Sequence, residues 1–300
     1  MDRKTTKWTP DAAGLEQPFR WRKPRHIIID RDLFARGVPT EHIDTVLALV
    51  ALTPQHTFEA VTEWPERLAE YYSRDDHNGY STPKRVEYYM VGMPGCPAVF
   101  SVIWPLPNLW LGTTLRTQAE ADARIPHLLA CPAAVRFVVC DPREAVNFDF
   151  NSDVCHCGES TDDSWHDGHP AAPIVDSYLR HIDQVRVAGT TEPIHPDWVR
   201  GLRDQCVAAG TAFRFDGWGD WAVCPQREYF DSNNYVQYLP NISKSDPWRC
   251  GPLMRSRDDI EAGRESTMAT VTMARVGHAK SGRTLDGRTW DQQPGQGGGE

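Results

Sequence analysis

The sequence predicts an α/β protein whose core is a parallel sheet covered by helices. Six short runs rich in β-branched or aromatic residues recur along it: His26–Asp30, Thr57–Glu63, Leu109–Leu115, Val135–Pro142, Gln184–Glu192 and Ala212–Trp218. Helix signals follow four of them. Strands that alternate with helices need crossover connections, and crossovers lay the strands side by side in one direction. At 300 residues the chain can form one α/β domain with extensions. Parallel α/β folds gather their chemistry at the carboxyl ends of the strands, which is where functional residues are to be sought.

The first 25 residues are polar and Pro-containing and read as an irregular lead-in. After the first strand, Thr40 is placed to cap a helix with Ile43, Val46, Leu47 and Val50 on one face. After the second, Pro65 suits a first helical turn that Leu68, Ala69 and Tyr72 continue. Between Ser73 and Pro107 the rhythm lapses into a turn-rich insertion, with an extra strand expected at Ala98–Trp104. The third run feeds a helix opened by Thr117 with Glu120 three positions on, a capping-box pattern, and Pro126 is expected to kink or restart it. No helix signal follows the fourth run; an acidic insertion containing Cys and His fills residues 143–183. The fifth leads into a helix begun by Pro196, with Trp198, Val199, Leu202 and Cys206 on one side and Gly210 at the left-handed cap position. The sheet-and-helix domain therefore spans 26–218. A β-rich extension follows over 219–290, with strands at Tyr235–Leu239 and Met268–Val276, and then a flexible Gly-rich tail over 291–300.

Composition narrows the function classes. Charged residues make up 24% and hydrophobic ones 40%, as in ordinary globular proteins, and eleven tryptophans favour a folded chain. The net charge of −9 is concentrated. Between Asp141 and Asp197 twelve Asp/Glu face three Arg, whereas Met1–Arg36 carries nine Lys/Arg against five Asp/Glu. An acidic protein has no general attraction for a phosphate backbone, so non-specific binding to nucleic acid or to a membrane surface is disfavoured. Arg20, Arg22, Lys23 and Arg25 leave room for a local basic contact, or form a solvated turn. No apolar stretch follows Arg3 and Lys4, and the longest apolar run, near Val46–Leu52, is too short to span a bilayer. The expectation is a cytoplasmic protein with no membrane partner, whose eight cysteines are thiols or metal ligands rather than disulfides.

Six collinear blocks carry a family resemblance: Leu15–Ile27, Leu49–Tyr71, Trp104–Gly112, Ala121–Val138, His195–Gly210 and Ser281–Pro294. Together they resemble an uncharacterised bacteriophage family, the gp-thirty-seven/gp-sixty-eight proteins, whose members look like radical-SAM-type (β/α) barrels. The resemblance implies an incomplete parallel barrel of the radical-SAM or TIM type, with an iron–sulfur cluster and S-adenosylmethionine as cofactors. The family's three-cysteine motif, C-x3-C-x2-C, leaves one iron of a [4Fe–4S] cluster open. The cysteines here, at 96, 131, 140, 155, 157, 206, 224 and 250, contain no such triplet. In the family the motif lies upstream of the block around Gln17–Arg25, so the cluster segment is expected from elsewhere or is lost. Strand-end residues also depart from the family pattern at Thr62–Pro65, Thr113–Arg116 and Ala188–Thr191.

Two constellations carry possible chemistry. Asp30, Glu63, Thr114, Asp141 and Glu192 each fall at or just past the carboxyl end of an expected strand. As a ring they form a barrel-mouth ligand pocket of candidate acids, bases or cation ligands; taken singly, each reads as a helix cap. Cys155, Cys157, His166 and His169 form C-x-C followed by H-x2-H, the mixed thiolate and imidazole set that tetrahedral zinc takes. C-x-C is tighter than common finger spacings, and the alternative is an acidic solvated insertion with incidental Cys and His. Trp218 and Trp221 could stack on bases, but a role covering the barrel edge is the simpler reading. Cys140 beside Asp141 is a poor nucleophile, because an adjacent carboxylate raises a thiol pKa.

Two functions follow. One is a phage-encoded, radical-SAM-like enzyme acting on a nucleic acid or nucleotide in the host cytoplasm. The other is a non-catalytic barrel serving as a binding or scaffolding module, stabilised by zinc if the insertion holds one. In either case an open sheet edge needs covering, by the lead-in or by a partner chain.

Overall fold

The computed structural model describes residues 5–11, 14–75, 78–98, 101–151, 165–166, 169–170, 175–223, 235–238 and 271–295. The sheet-forming strands are β1 (Thr5–Trp8), β2 (His26–Ile29), β3 (Thr57–Thr62), β4 (Leu109–Leu115) and β5 (Val135–Cys140). Short strands β6 (Asp149–Asn151), β7 (Trp165–His166), β8 (His169–Pro170) and β9 (Val175–Ser177) precede β10 (Gln184–Ala188) and β11 (Ala212–Gly217). One seven-stranded sheet runs in the order β1-β2-β3-β4-β5-β10-β11, and the pairs from β1 to β5 are parallel. The protein is thus mixed α/β, and its parallel sheet curls into a half-barrel. All six predicted strand runs enter it.

Two compact units divide the chain: Met1–Asp141 with Arg186–Ala188, and Pro142–Val185 with Gly189–Glu300. In the first, α2 (Thr40–Leu52), α3 (Pro65–Ser73), α4 (Thr82–Met90) and α5 (Gln118–Leu129) follow the strands. Strand residues alternate between two faces. The face carrying Ile27, Ile29, Phe58, Ala60, Leu111 and Val138 is fully buried. The apolar stripe expected on α2, Ile43, Val46, Leu47 and Val50, is buried as well, α2 packs on α4, and α5 packs on β4 and α3. Thr117 caps α5 as expected, accepting from the Glu120 amide at 3.2 Å. Pro126 does not break that helix, because it lies in the last turn, where little of the hydrogen-bond ladder remains to disturb. Thr40 opens α2 but makes no side-chain cap bond; Pro39 holds the cap position.

Three segments differ from the sequence-based expectation. The lead-in is not irregular throughout: it forms β1 and a short helix α1 (Gln17–Arg20). Only Trp8 is deeply buried in β1, with its indole donating to the Gly14 carbonyl at 2.9 Å, so one residue in four carries the apolar signal. β1 occupies the position beyond β2 in the sheet. The insertion after Ser73 contains α4, anchored by buried Arg85, Val86 and Met90. At Ala98–Trp104 none of the described residues is in a strand. There the Val102 amide donates to the Glu87 carboxylate of α4 at 3.2 Å, which takes a donor that a ladder would need.

The second unit contains a 3-10 turn at Tyr178–Arg180, α6 (Pro196–Ala209) and β11, followed by β12 (Trp221–Val223), β13 (Tyr235–Tyr238) and β14 (Val271–Arg275). His195 caps α6, and Gly210 takes the left-handed conformation at its end, with φ 74°. The strands β12, β14 and β13 form an antiparallel sheet, consistent with the β-rich extension read from the sequence. A hairpin, β15 (Thr284–Leu285) with β16 (Arg288–Thr289), closes the described chain, and Asp286 in its turn receives both Arg200 and Arg203 of α6.

Candidate functional site on the concave face

The second face of the first unit's sheet carries the polar residues. Register places Ile28, Glu59, Trp110 and Val135 across adjacent strands, with Val61, Gly112 and Phe137 in the next row and Thr114 and Val139 beyond them. Most of these residues are half-buried, as on the inner wall of an open barrel. A Cβ on Gly112 would sit 2.6 Å from the Phe137 ring, so this position admits only glycine unless that ring moves.

Glu59 is the centre of this face. Arg186 Nη1 donates to its Oε2 at 2.7 Å, Arg186 Nη2 to its Oε1, and His26 Nε2 lies 2.5 Å from Oε1. Glu59 is 1% exposed and Arg186 5% exposed. In the sheet order β10 stands three places from β3, a separation of about 14 Å in a flat sheet. Two side chains can close that span only if the sheet curls around them. The Arg186 guanidinium also lies 4.3 Å above the Phe137 ring, and His26 meets Trp110 edge-on at 5.1 Å. Burial by itself would raise the Glu59 carboxyl, but the hydrogen bonds from Arg186 and His26, together with their charges, lower it to about 2. The network lies toward the amino ends of the strands and forms the floor of the half-barrel.

Asp30, Glu63, Thr114 and Asp141 lie at or just past strand ends, whereas β10 stops at Ala188 and leaves Glu192 in the loop before α6; each is engaged locally. Asp30 is exposed and 3.4 Å from Lys7. Glu63 is exposed, its carboxylate 3.7 Å from Arg116, while its amide donates to Asp32 at 2.9 Å. Thr114 binds Arg124 through its carbonyl at 2.7 Å and its hydroxyl at 3.1 Å. Asp141 is 8% exposed, and its amide donates to the Leu115 carbonyl at 2.9 Å. These four stand at the ends of β2, β3, β4 and β5. Glu192 belongs to the second unit, exposed and 3.3 Å from Arg143. Sequence reasoning missed Asp32, which binds the hydroxyl of Thr62 at 3.0 Å and the amide of Phe34 at 2.9 Å and so ties the β2 and β3 tips together. It also missed Glu59, Arg186 and His26. A charged residue in the middle of an otherwise apolar strand was the available signal.

For the cofactors implied by resemblance, the donors can be tested directly. Cys131, Cys140 and Cys206 are buried, and Cys96, Cys131, Cys140 and Cys206 are all free thiols. Burial pushes the Cys131 and Cys140 thiols up to about 12, with Asp141 adding to the rise at Cys140. Cys140 sits on the helix-covered face of β5, away from the barrel interior. These thiols do not fit an iron–sulfur cluster, which requires thiolates converging on one open position. Among the described residues no group of three or more His, Cys, Asp or Glu could hold a metal ion. Of the proposed zinc set, Cys155 and Cys157 lie outside the described residues. His166 and His169 are Cα partners in the β7–β8 ladder. Among the described residues no helix is long and apolar enough to cross a membrane.

No curated protein and no solved structure matches this chain. One family profile does, over residues 1–294, from the lead-in through the hairpin that closes on α6. By that match the chain belongs to the family described as Protein of unknown function (DUF5131).

Proposed function

We propose that this chain is a radical-SAM-like half-barrel of bacteriophage type that works in the host cytoplasm as a binding module, taking a small ligand of the nucleotide class on its concave face. One observation carries the choice of binding over catalysis. Glu59, the carboxylate buried at the centre of that face, is held ionised by Arg186 and His26 with its pKa lowered to about 2. A general base is effective when its pKa lies near the working pH, and a carboxylate this acidic with both oxygens occupied is a poor proton acceptor.

The ligand class follows from the wall above that floor. Ile28, Val61 and Val139 offer a half-buried apolar surface for a flat ring system, beside the Phe137 ring that covers Gly112. Arg31, exposed just past β2, supplies positive charge for an anionic group at the mouth, while Arg116 past β4 is shared with Glu63. The alternative, a radical-SAM-like enzyme, needs cluster ligands from outside the described residues.

Calorimetric titration with adenosine monophosphate, adenosine triphosphate and S-adenosylmethionine tests the proposal. Saturable binding is expected, weakened about tenfold or more by Val61→Phe, which adds a bulky ring to the apolar surface at a half-buried site. Absence of binding by all three compounds, or binding unchanged in the variant, would overturn it. So would anaerobic reconstitution that loads a stoichiometric iron–sulfur cluster.

A further inference from the structure

On the helical side of the first unit, α2, α3 and α4, with Arg74, Asp75, Asn78 and Tyr80, line a cleft of about 840 Å3. Its volume is in the range of small-ligand sites. The floor is a fixed polar network. Tyr71 donates its hydroxyl to Asp44 at 2.5 Å, and Arg85 binds both Asp44 oxygens at 3.3 Å. Arg85 also caps the carbonyls of Arg74 and Tyr80, and it is 6% exposed. The rim is aromatic: Tyr88 is 69% exposed and Tyr80 45%, with Tyr89 packed edge-on to Tyr88 at 5.6 Å.

Four carboxylates line the cleft against three guanidinium groups, an excess of one negative charge. Arg85 is matched by Asp44, and Arg74 by Glu70 at 2.6 Å. Arg67 turns its guanidinium to the carbonyls of Phe34, Ala35 and Val38. Glu41 and Asp75 are exposed carboxylates on the lining with no ion pair among the described residues. The field is felt inside: the Tyr89 hydroxyl is raised by burial and then by the charges of Asp44 and Glu41. Within the same cleft the protein already places a cation over a ring, since the Arg85 guanidinium lies 5.0 Å from the Tyr71 centroid.

We propose that this cleft is a second binding site, which takes an alkylammonium or guanidinium group between the exposed faces of Tyr80 and Tyr88 and the carboxylates of Glu41 and Asp75. Ring faces attract cations by their quadrupole, and the carboxylates supply the net charge. The same group could come from a free polyamine or from a Lys or Arg side chain of another protein. It shares no residue with the concave face, so the two sites stand or fall separately.

Calorimetry of the full chain with spermidine, agmatine and an end-blocked Gly-Arg-Gly peptide, at constant ionic strength, tests the site. Saturable one-to-one binding of at least one probe is expected. Tyr88→Ala and Glu41→Gln should each weaken it about tenfold, Tyr88→Phe should retain it, and Val61→Phe should leave it unchanged. Tighter binding of the free amines supports a small-molecule ligand; tighter binding of the peptide supports a protein side chain. No saturable binding by any probe, or binding that survives in the Tyr88→Ala, Glu41→Gln double variant, would overturn the proposal. Survival of that kind would be diffuse attraction to an acidic protein.

Discussion

Glu59 and Arg186 form a buried ion pair on which the folded sheet depends. Both are buried, and each leaves an uncompensated charge if the other is removed. Glu59→Gln is therefore expected to lower unfolding free energy by about 3–5 kcal/mol in urea denaturation. Glu59→Leu with Arg186→Met should recover much of that loss, because the desolvation cost goes with both charges. The same pair fixes an acid response. Glu59 falls from 4.5 to about 2 on folding, so below 4.5 the unfolded chain binds a proton that the folded one refuses. Its stabilisation is fully present above pH 4.5 and is lost as pH falls toward 2, about 3 kcal/mol in all. Urea midpoints measured between pH 6 and pH 2.5 should drop for the wild type more than for the Glu59→Leu, Arg186→Met variant. The sequence shows a Glu inside one apolar run and an Arg inside another. Their pairing across 127 positions is set by the curl of the sheet, which no local pattern encodes.

At the scale of elements, periodicity serves where an element buries a regular stripe. Strands β2, β3, β4, β5, β10 and β11 are rich in β-branched or aromatic residues and bounded by turns, and helices α2, α5 and α6 repeat apolar residues every three or four positions. The same signals miss β1, whose pattern is exposed except at Trp8, and α4, which carries a buried arginine and two tyrosines. β1 matters more than its four residues suggest. It pairs in parallel with all of β2, from Thr5 opposite His26 to Trp8 opposite Ile29. Deleting residues 1–24 should expose the β2 edge and remove the burial of Trp8, giving a lower thermal midpoint and concentration-dependent aggregation in light scattering. A variant that remains a clean monomer with an unchanged midpoint would show that β1 is dispensable.

Across the whole molecule, the cysteines report on how far the fold opens. With Cys131 and Cys140 buried and pushed up to about 12, neither presents a thiolate near neutral pH, whereas half-buried Cys96 is reachable. Site-resolved mass spectrometry after brief alkylation should find Cys96 modified before Cys131 and Cys140, which react only under conditions that unfold the first unit. Early labelling of Cys140 would mean that the helical layer opens without global unfolding. By itself, the sequence determined the α/β class, the order of the parallel strands' segments, the caps at Thr117 and Gly210, and the absence of a C-x3-C-x2-C triplet. All of these rest on local spacing, which the chain carries along its length. The tertiary structure alone decided that the sheet curls around Glu59, Arg186 and His26, that Asp32 joins neighbouring strand tips, and that α2, α3 and α4 leave a tyrosine-rimmed cleft. Those contacts join residues far apart in the chain, and their energies come from desolvation and charge in the folded state, where hydrophobic periodicity is silent.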